Sequence, residues 1–444
     1  MHTPDNALTL LRAAFTRARL AADPARVLPS QLPEPPEGRL VVVGAGKAAA
    51  LMAQATEAFY RENYPGTRLS GLVVTRYGHT VVKNPGVTNP SMNNLVTNPA
   101  VNDVLTPGRI AVLEAAHPVP DAAGVAATRQ ILALARSLTE DDMLLCLISG
   151  GGSALLCAPE GVTLTEKAAL TEALLRSGAS ITEMNVVRKH LSAVKGGGLA
   201  RAAFPAPVLS LIISDVAGDD LSAIASGPTV PDTSTFAEAR AVLRRYGLEA
   251  PAHISQGVAE TPKLGDPSFA HVENRLVASA QGMLTAAAAF FSEQGVTPLI
   301  LSDRVTGEAR EIARMHAAIA QQVRAHGQPL KPPCVLLSGG ETTVTVRGRG
   351  RGGRNCEFAL ALALELDGLG GVYALAADSD GIDGSEDAAG ALVTPRTLSR
   401  LGVGGARAFL DNNDAYSFFE RAGGLIHTGP TLTNVNDLRL ILIL

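Results

Sequence analysis

Several glycine-bearing turns carry charged or hydroxyl side chains at spacings that suit the handling of a small anion. The first is Gly44-Ala45-Gly46-Lys47-Ala48-Ala49, which follows the apolar run LVVV (40–43) and leads into small residues suited to a helix. Glycines let a backbone approach an anion, and a helix start adds unpaired N–H groups and a positive dipole. Lys47 at such a turn suits a bound carboxylate or phosphate; its plain alternative is a solvated lysine on a first helical turn. The same residues fit G-x-G-x-x-A, a dinucleotide fingerprint, but the NAD version also needs an acid near the end of the second strand to hold the ribose. Here the second run, GLVVT, continues into Arg76-Tyr77-Gly78-His79, with no Asp or Glu. A P-loop, G-x-x-x-x-G-K-[ST], is absent from the chain.

The second turn, Ser149-Gly150-Gly151-Gly152-Ser153, follows LLCLIS and reads as a nest of N–H groups that binds an anion. Downstream, NVVRKHLSAVKGGGL (185–199) places Arg188, Ser192 and Lys195 at i, i+4 and i+7, one face of an expected helix over 185–195, with Lys189 beside them. That is either a cationic face for an acidic substrate or a solvated basic face. Asp215 follows the run VLSLIIS (208–214), where parallel sheets bind ligands. It could hold Mg²⁺ or accept a hydroxyl proton, while Asp219 and Asp220 could simply cap a turn. In the second half, Ser338-Gly339-Gly340-Glu341 follows CVLLS, and the tract from Arg347 to Arg354 leads into Asn355, a residue able to cap the helix behind it. Wedged between a strand and a helix, this tract reads as an ordered anion loop rather than an RNA-binding tail, with Arg354 nearest the helix dipole. Asp378, Asp380 and Asp383 resemble a calcium loop but break its spacing, which leaves a Mg²⁺ site or a tight acidic turn. Cations and carboxylates on turns of two α/β halves, converging in an interdomain cleft, would suit phosphoryl transfer, where catalysis is mostly positioning and charge neutralisation. No Ser-His-Asp or Cys-His pattern stands out, and GGGSAL is not a nucleophile elbow.

The elements that must position these groups alternate. Apolar runs at 40–43, 71–75, 110–114, 144–149 and 208–214 read as strands covered on both faces; helices are expected at 46–62, 121–137, 165–178, 185–195 and 235–246. Such alternation marks a doubly wound parallel sheet. A boundary falls near the polar stretch ETPKLGDPS (260–268), giving a Rossmann-like domain over 1–250 and a second α/β domain over 251–444. The second domain starts with RLVAS (275–279), followed by TPLILS, CVLLS, TTVTV, VYALAA and RLILIL, with helices at 281–294, 307–326 and 355–366. TTVTV alternates, so this sheet is expected to be mixed, with an antiparallel, half-exposed part. The Asn- and Pro-rich segment 81–108 reads as a surface insertion.

The 444-residue length fits two or three domains, and a net charge of −4 gives no electrostatic reason to expect nucleic acid. No apolar run reaches the roughly 18 residues of a membrane span, and the N-terminal stretch lacks the apolar core of a signal peptide. Four cysteines without CxxC spacing read as reduced, buried thiols of a cytoplasmic protein, not as zinc ligands. The oligomeric state is open, with a homodimer as the form carried forward.

Taken together, GAGKAA (44–49), VTRYGH (74–79), AAHPVPDAAG (115–124), LISGGGSAL (147–155), MNVVRKHLSAVKGGGLA (184–200), SDVAGDD (214–220), SGPT (226–229), TGEAR (306–310), LSGGETTVTV (337–346), GRGGRNCEFAL (350–360) and DSDGIDG (378–384) resemble the glycerate 2-kinase family. Its modules are a glycerate-kinase N-terminal domain and a C-terminal MOFRL domain. Segment 81–108 has no counterpart in that pattern. The resemblance implies ATP- and Mg²⁺-dependent phosphorylation of D-glycerate at its 2-hydroxyl, giving 2-phosphoglycerate, with the active site between the domains. It makes Lys47 and Arg354 the principal active-site cations. With them go Asp215 as base or metal ligand, and Asp378 and Asp380 as further metal candidates. Expected substrate- or nucleotide-binding residues are Gly44, Gly46, Ser149, Gly150, Gly151, Gly152, Ser153, Arg188, Lys189, Lys195, Gly339, Gly340, Glu341 and Asn355. Members are often labelled hydroxypyruvate reductase, linked to tartrate breakdown. An NAD(P)H-dependent reductase is therefore the rival reading, which the missing ribose acid opposes; a hydroxy-acid sensor without turnover is a third.

Overall fold

A computed structural model describes residues 4–80, 109–257 and 259–444; the expected insertion at 81–108 lies outside these. The β-branched run after Arg39 forms β1 (Leu40–Ala45), buried along its whole length. It sits between β2 (Leu69–Arg76) and β4 (Met143–Ile148), parallel to both. With β3 (Arg109–Ala115), β5 (Val208–Ile213) and β6 (Val272–Ala278) it makes a six-stranded parallel sheet of order β3-β2-β1-β4-β5-β6. This is the doubly wound order in which the chain reverses direction across the sheet between β1 and β4, and ligands bind beyond the carboxyl ends of those strands. The continuous apolar character of the runs follows from helices on both faces, among them Ala49–Asn63 and Ala122–Arg136. RLVAS does not open the second sheet. It belongs to β6, which extends the first sheet through Val208 N–H to His271 C=O and Ser214 N–H to Ala278 C=O, each 2.9 Å.

The second sheet has the order β13-β12-β11-β14-β9-β7. Its strands are β7 (Thr297–Ser302), β9 (Cys334–Gly340), β11 (Val372–Asp378), β12 (Gly390–Val393), β13 (Leu425–Ile426) and β14 (Asp437–Ile443). Only the β7–β9 pair is parallel, so the sheet is mixed. The mixture comes from β14 returning between β9 and β11, not from TTVTV. Of that run only β10 (Thr342–Thr343) is strand, paired with β8 (Gly307–Glu308). Alternation fixes which faces differ but cannot supply a neighbouring strand; Thr345 instead gives its N–H and hydroxyl to the Glu308 carboxylate at 3.0 Å. Helix Ala309–His326 lays a stripe of Ala309, Ala313, Ala317, Ala320 and Val323 into the core with helix Arg354–Leu366. Alanines at that spacing let two helices approach closely over the sheet.

Two compact units divide the chain: Val27–Ile213 with Asp219–Val277, and Met1–Arg26 with Ser214–Gly218 and Ala278–Leu444. This differs from a cut near 250 because helix Pro4–Leu20 packs on helix Ala280–Glu293 and on β11 and β14, and Thr433 Oγ1 donates to Ala22 C=O at 2.7 Å. Sequence alternation reveals elements, not which sheet a terminal helix covers.

Candidate active site

In the first unit the turns after β1 and β4 interlock. Gly46 lies at φ 139°, and a Cβ there would fall 2.1 Å from Ser149 Oγ and 2.5 Å from Ser149 C=O. Only glycine admits that approach. Ser149 N–H donates to Ala45 C=O at 3.0 Å, and the Ser149 hydroxyl accepts Ala48 N–H at 3.0 Å. Gly46 N–H goes to Val74 C=O at 3.1 Å, and Lys47 N–H to Gly150 C=O at 2.8 Å. The three N–H groups that a pyrophosphate would use at this turn are therefore bonded inside the protein. Gly151, at φ 82°, sits where a Cβ would come within 3.1 Å of the His117 ring and 3.6 Å of Lys47 Cγ. Lys47, Gly151 and His117 thus meet where the chain reverses direction across the sheet. His117 was not among the expected site residues, although its place just past β3, at a strand's carboxyl end, is the available signal.

The Ser149–Ser153 turn is braced from below. Ser153 Oγ lies 2.9 Å from Ser226 Oγ, and Lys195 Nζ donates to Ser153 C=O at 2.8 Å. The expected helical face does not exist: the helix is Ile181–Lys189, capped by Ser180 with Glu183 in a reciprocal box, and it ends at His190. Ser192 and Lys195 lie beyond it, where Pro159 bridges to Ser192. Arg188 and Lys195 still come together, through the fold and not through periodicity, and Lys167 from helix Leu164–Arg176 joins them. The platform for Arg188 is a small core in which Met184, Val187 and Leu191 pack with Leu174, Phe236 and Leu243. Lys189 does not join the cluster. It pairs with buried Asp232 at 3.3 Å, which Ser234 and Thr261 also hydrogen-bond. Burial lowers the Arg188 and Lys195 pKa values, for Lys195 far below the usual lysine range with Arg188 and Lys167 adding repulsion. Burial brings Lys167 down to about 8.

In the second unit three strand ends meet. Gly340 of β9, Asp437 of β14 and Asp378 of β11 are adjacent in register. Arg354, the first residue of its helix, reaches all three strand ends. Its Nε donates to Asp437 at 2.9 and 3.0 Å, Nη1 to Glu341 at 2.8 Å and Nη2 to Asp378 at 2.8 Å. Burial opposes its charge, but Asp437, Asp378 and Glu341 prevail and raise its pKa above the ordinary arginine value. Asn355 is not the cap. The N-cap is Gly353 without a side-chain bond, and Asp383 serves from across the loop, accepting Asn355 N–H at 2.9 Å and Cys356 N–H at 2.8 Å. Asn355 Nδ2 instead donates to Asp437 at 2.8 Å. The arginine–glycine tract is ordered. Its N–H groups at Arg347, Gly348, Arg349 and Arg351 donate to side chains of Asn413, Asn412 and Asp414. A Cβ at Gly348 would lie 2.1 Å from Asn412 C=O. Between this tract and the helix start lies a pocket of about 250 Å³ that Arg354, Glu357 and Asn413 help to line.

Asp378 Oδ1 accepts Asp380 N–H and Asp380 Oδ1 accepts Ile382 N–H, each at 2.9 Å, so DSDGID is a tight acidic turn. Asp215 Oδ2 accepts from Asn434 Nδ2 at 3.1 Å, and its carbonyl accepts from Asn436. Among the described residues no group of three His, Cys, Asp or Glu is arranged to hold a metal. Asp437 and Arg439 were not among the expected site residues. Two charges at i and i+2 in the apolar strand DLRLILI, on one face, were the signal.

Residues 10–259 match the family described as Domain of unknown function (DUF4147), and residues 334–437 match the MOFRL family. A D-glycerate 2-kinase of Thermotoga maritima is 40% identical over 100% of both chains. The chain belongs to the glycerate 2-kinase family. Another relative, from Agrobacterium vitis and provisionally labelled a hydroxypyruvate reductase, is 51% identical over 99% of this chain and 95% of its own. The crystal structure of glycerate kinase from Thermotoga maritima superposes with a TM-score of 0.85 at 40% identity, covering 99% of this chain and 100% of that one. In glycerate 2-kinase family terms, Lys47 falls in the DUF4147 match and Arg354 in the MOFRL match.

Proposed function

We propose that this chain transfers the γ-phosphoryl group of ATP to the 2-hydroxyl of D-glycerate, giving 2-phosphoglycerate and ADP. The observation that carries the reading against a nicotinamide enzyme is the internal bonding of the Gly46, Lys47 and Ala48 N–H groups. What the first turn offers an anion is then a lysine side chain rather than a pyrophosphate cradle, and the full-length kinase relative supports the same class. Mg²⁺ would enter with the nucleotide. An ion that takes most of its octahedron from phosphate oxygens and water needs only one or two protein carboxylates, which agrees with the lack of a three-ligand cluster among the described residues.

In this mechanism the 2-hydroxyl oxygen attacks the γ-phosphorus in line, its proton passes to Asp215, and ADP departs. Asn434 fixes the Asp215 carboxylate, Lys47 neutralises charge on the transferring group, and the Ser149–Ser153 turn lines the anion's approach. Arg354 acts by locking Glu341, Asp378 and Asp437 in place, with Gly339 and Gly340 bringing Glu341 to the strand end. Positioning and charge neutralisation are the main terms in phosphoryl transfer. The four unpaired, buried cysteines suit a reducing compartment, and we propose the cytoplasm. Among the described residues no helix is long and apolar enough to cross a membrane. The test is ADP release from MgATP with D-glycerate, run beside NADH or NADPH oxidation with hydroxypyruvate. ADP release dependent on D-glycerate supports the proposal; nicotinamide oxidation without ADP release overturns it.

A further inference from the structure

Away from the strand ends that Arg354 joins, three arginines of the second unit meet at one pocket of about 370 Å³. Arg12, Arg396, Arg400 and Thr397 stand in its wall, and its floor includes Leu392 and Phe419. Leu392 is 5% exposed and Phe419 is fully buried, so the floor belongs to the core while the arginines stand exposed at the rim. Among the described residues no carboxylate lines this pocket, and none of the three arginines has an ion pair. Elsewhere in the unit arginines find acids: Arg310, Arg314, Arg351, Arg354 and Arg439 each hold a carboxylate. The chain has 42 acidic and 38 basic residues, so the shortage of acid here is local and not compositional.

The fold gathers these groups from far apart in sequence. Arg12 comes from helix Pro4–Leu20, which packs on β11 and β14. Arg396 and Arg400 come from the segment after β12. There Thr397 N–H donates to Thr394 C=O at 3.1 Å, Ser399 N–H to Arg396 C=O at 3.0 Å and Gly402 N–H to Leu398 C=O at 2.8 Å. Arg396 N–H is held by Thr394 Oγ1 at 3.1 Å, so successive bonded turns present both arginines to the same pocket. Arg400 Nη1 donates to Arg421 C=O at 2.7 Å, which ties its guanidinium beside Ala422 of the wall, and the rest of its fork still has donors to offer. Val393, the last residue of β12, pairs with Ala374, four residues along β11 from Asp378. At about 3.3 Å per residue, the segment bearing Arg396 and Arg400 starts about 13 Å from the Asp378 end of that strand.

Guanidinium forks match phosphate and carboxylate oxygens in pairs of hydrogen bonds. One carboxylate answers one fork; three forks call for an anion with more than one charged end. An apolar floor beneath a few placed polar groups is the usual build of a small-ligand site, and this volume suits a small metabolite. We infer that Arg12, Arg396 and Arg400 form a second anion site, one that takes a small organic phosphate bearing a further anionic group. The inference does not rest on the kinase reading.

The experiment is titration calorimetry of the full chain with 3-phosphoglycerate. D-glycerate and inorganic phosphate, each lacking one of its two charged ends, are titrated beside it. The expected result is a saturable component for 3-phosphoglycerate, at least about tenfold tighter than for either fragment. Arg396→Gln combined with Arg400→Gln should weaken that component at least about tenfold, as the loss of charged hydrogen bonds implies. Lys47→Ala should leave it unchanged. Exposed arginines are replaced with little cost to folding; should the double variant fail to fold, Arg12→Gln carries the test with the same expectation. No binding by the parent overturns the inference, as does an affinity unchanged in the folded arginine variants. So does inorganic phosphate that binds as tightly as 3-phosphoglycerate. Loss of the component in Lys47→Ala also overturns it, because the anion then sits at the turn after β1. A parent that releases no ADP with D-glycerate refutes the kinase reading alone, since none of these outcomes depends on turnover.

Discussion

Replacing Asp437 with Asn removes one charge from the centre of the strand-end network and should be among the most damaging single changes in the chain. Asp437 has no exposed surface, and it accepts from Arg354 Nε, from Asn355 Nδ2 at 2.8 Å and from Arg439 Nη2 at 2.6 Å. Arg354 would keep Glu341 and Asp378, each at 2.8 Å. Arg439 is worse placed: it is 1% exposed, and its other bond is to Thr342 Oγ1 at 3.0 Å. Its Nε and Nη1 already lack hydrogen-bond partners among the described residues, with only the Phe358 ring beneath the guanidinium. Breaking a buried pair so that one charge stays uncompensated costs about 3–5 kcal/mol, a large share of the roughly 5–15 kcal/mol that holds a typical domain. Arg439→Met should cost less, about 1–3 kcal/mol, because Asp437 retains Arg354 and Asn355. The double variant should be more stable than Asp437→Asn alone, since no buried charge is then stranded. Urea denaturation of the parent, both singles and the double completes a mutant cycle. A loss under about 1 kcal/mol for Asp437→Asn, or a double variant equal to the sum of its singles, would refute the reasoning.

Other expectations follow from single contacts. His316 is held neutral, its ring nitrogens 2.8 Å from Ile312 C=O and 2.9 Å from Ser338 Oγ, and burial lowers its pKa from 6.5 to about 4. Between those values the unfolded chain binds more protons, so stability should rise with pH across that window, by up to roughly 3 kcal/mol. Denaturation midpoints against pH should show the rise, and His316→Gln should flatten it. Gly46→Ala should lose about 1–3 kcal/mol through backbone strain and overpacking, and adding Ser149→Ala should not restore it, because the Ser149 carbonyl remains 2.5 Å from the new Cβ. Lys47→Ala should keep the parent's thermal midpoint but lose at least about a hundredfold in kcat; steady-state assays that find a near-parent rate would remove Lys47 from the role given it.

What the sequence made legible was local. A β-branched run followed by Gly-x-Gly reads as a buried strand entering a tight turn, and Gly44–Gly46 and Ser149–Ser153 do lie at the carboxyl ends of β1 and β4. Pairing at long range was not legible. Glu341, Asp378 and Asp437 meet around Arg354 only because β14 returns between β9 and β11. Helical spacing brought Arg188 and Lys195 together on paper for a reason that fails, since the chain leaves the helix at His190; beyond it Ser192 bridges to Pro159, and Lys195 reaches the Ser153 carbonyl. The alternation in TTVTV was genuine, but among the described residues only Thr342 and Thr343 are paired, with the two-residue strand β8.

The most direct measurement is phosphorus NMR of the product formed from MgATP and D-glycerate by the full chain. A phosphate on the 2-oxygen couples to the single proton of its carbon and gives a doublet, whereas one on the 3-oxygen couples to two and gives a triplet. The account predicts a doublet accompanied by ADP; a triplet, or no new phosphate ester while hydroxypyruvate is reduced, would contradict it.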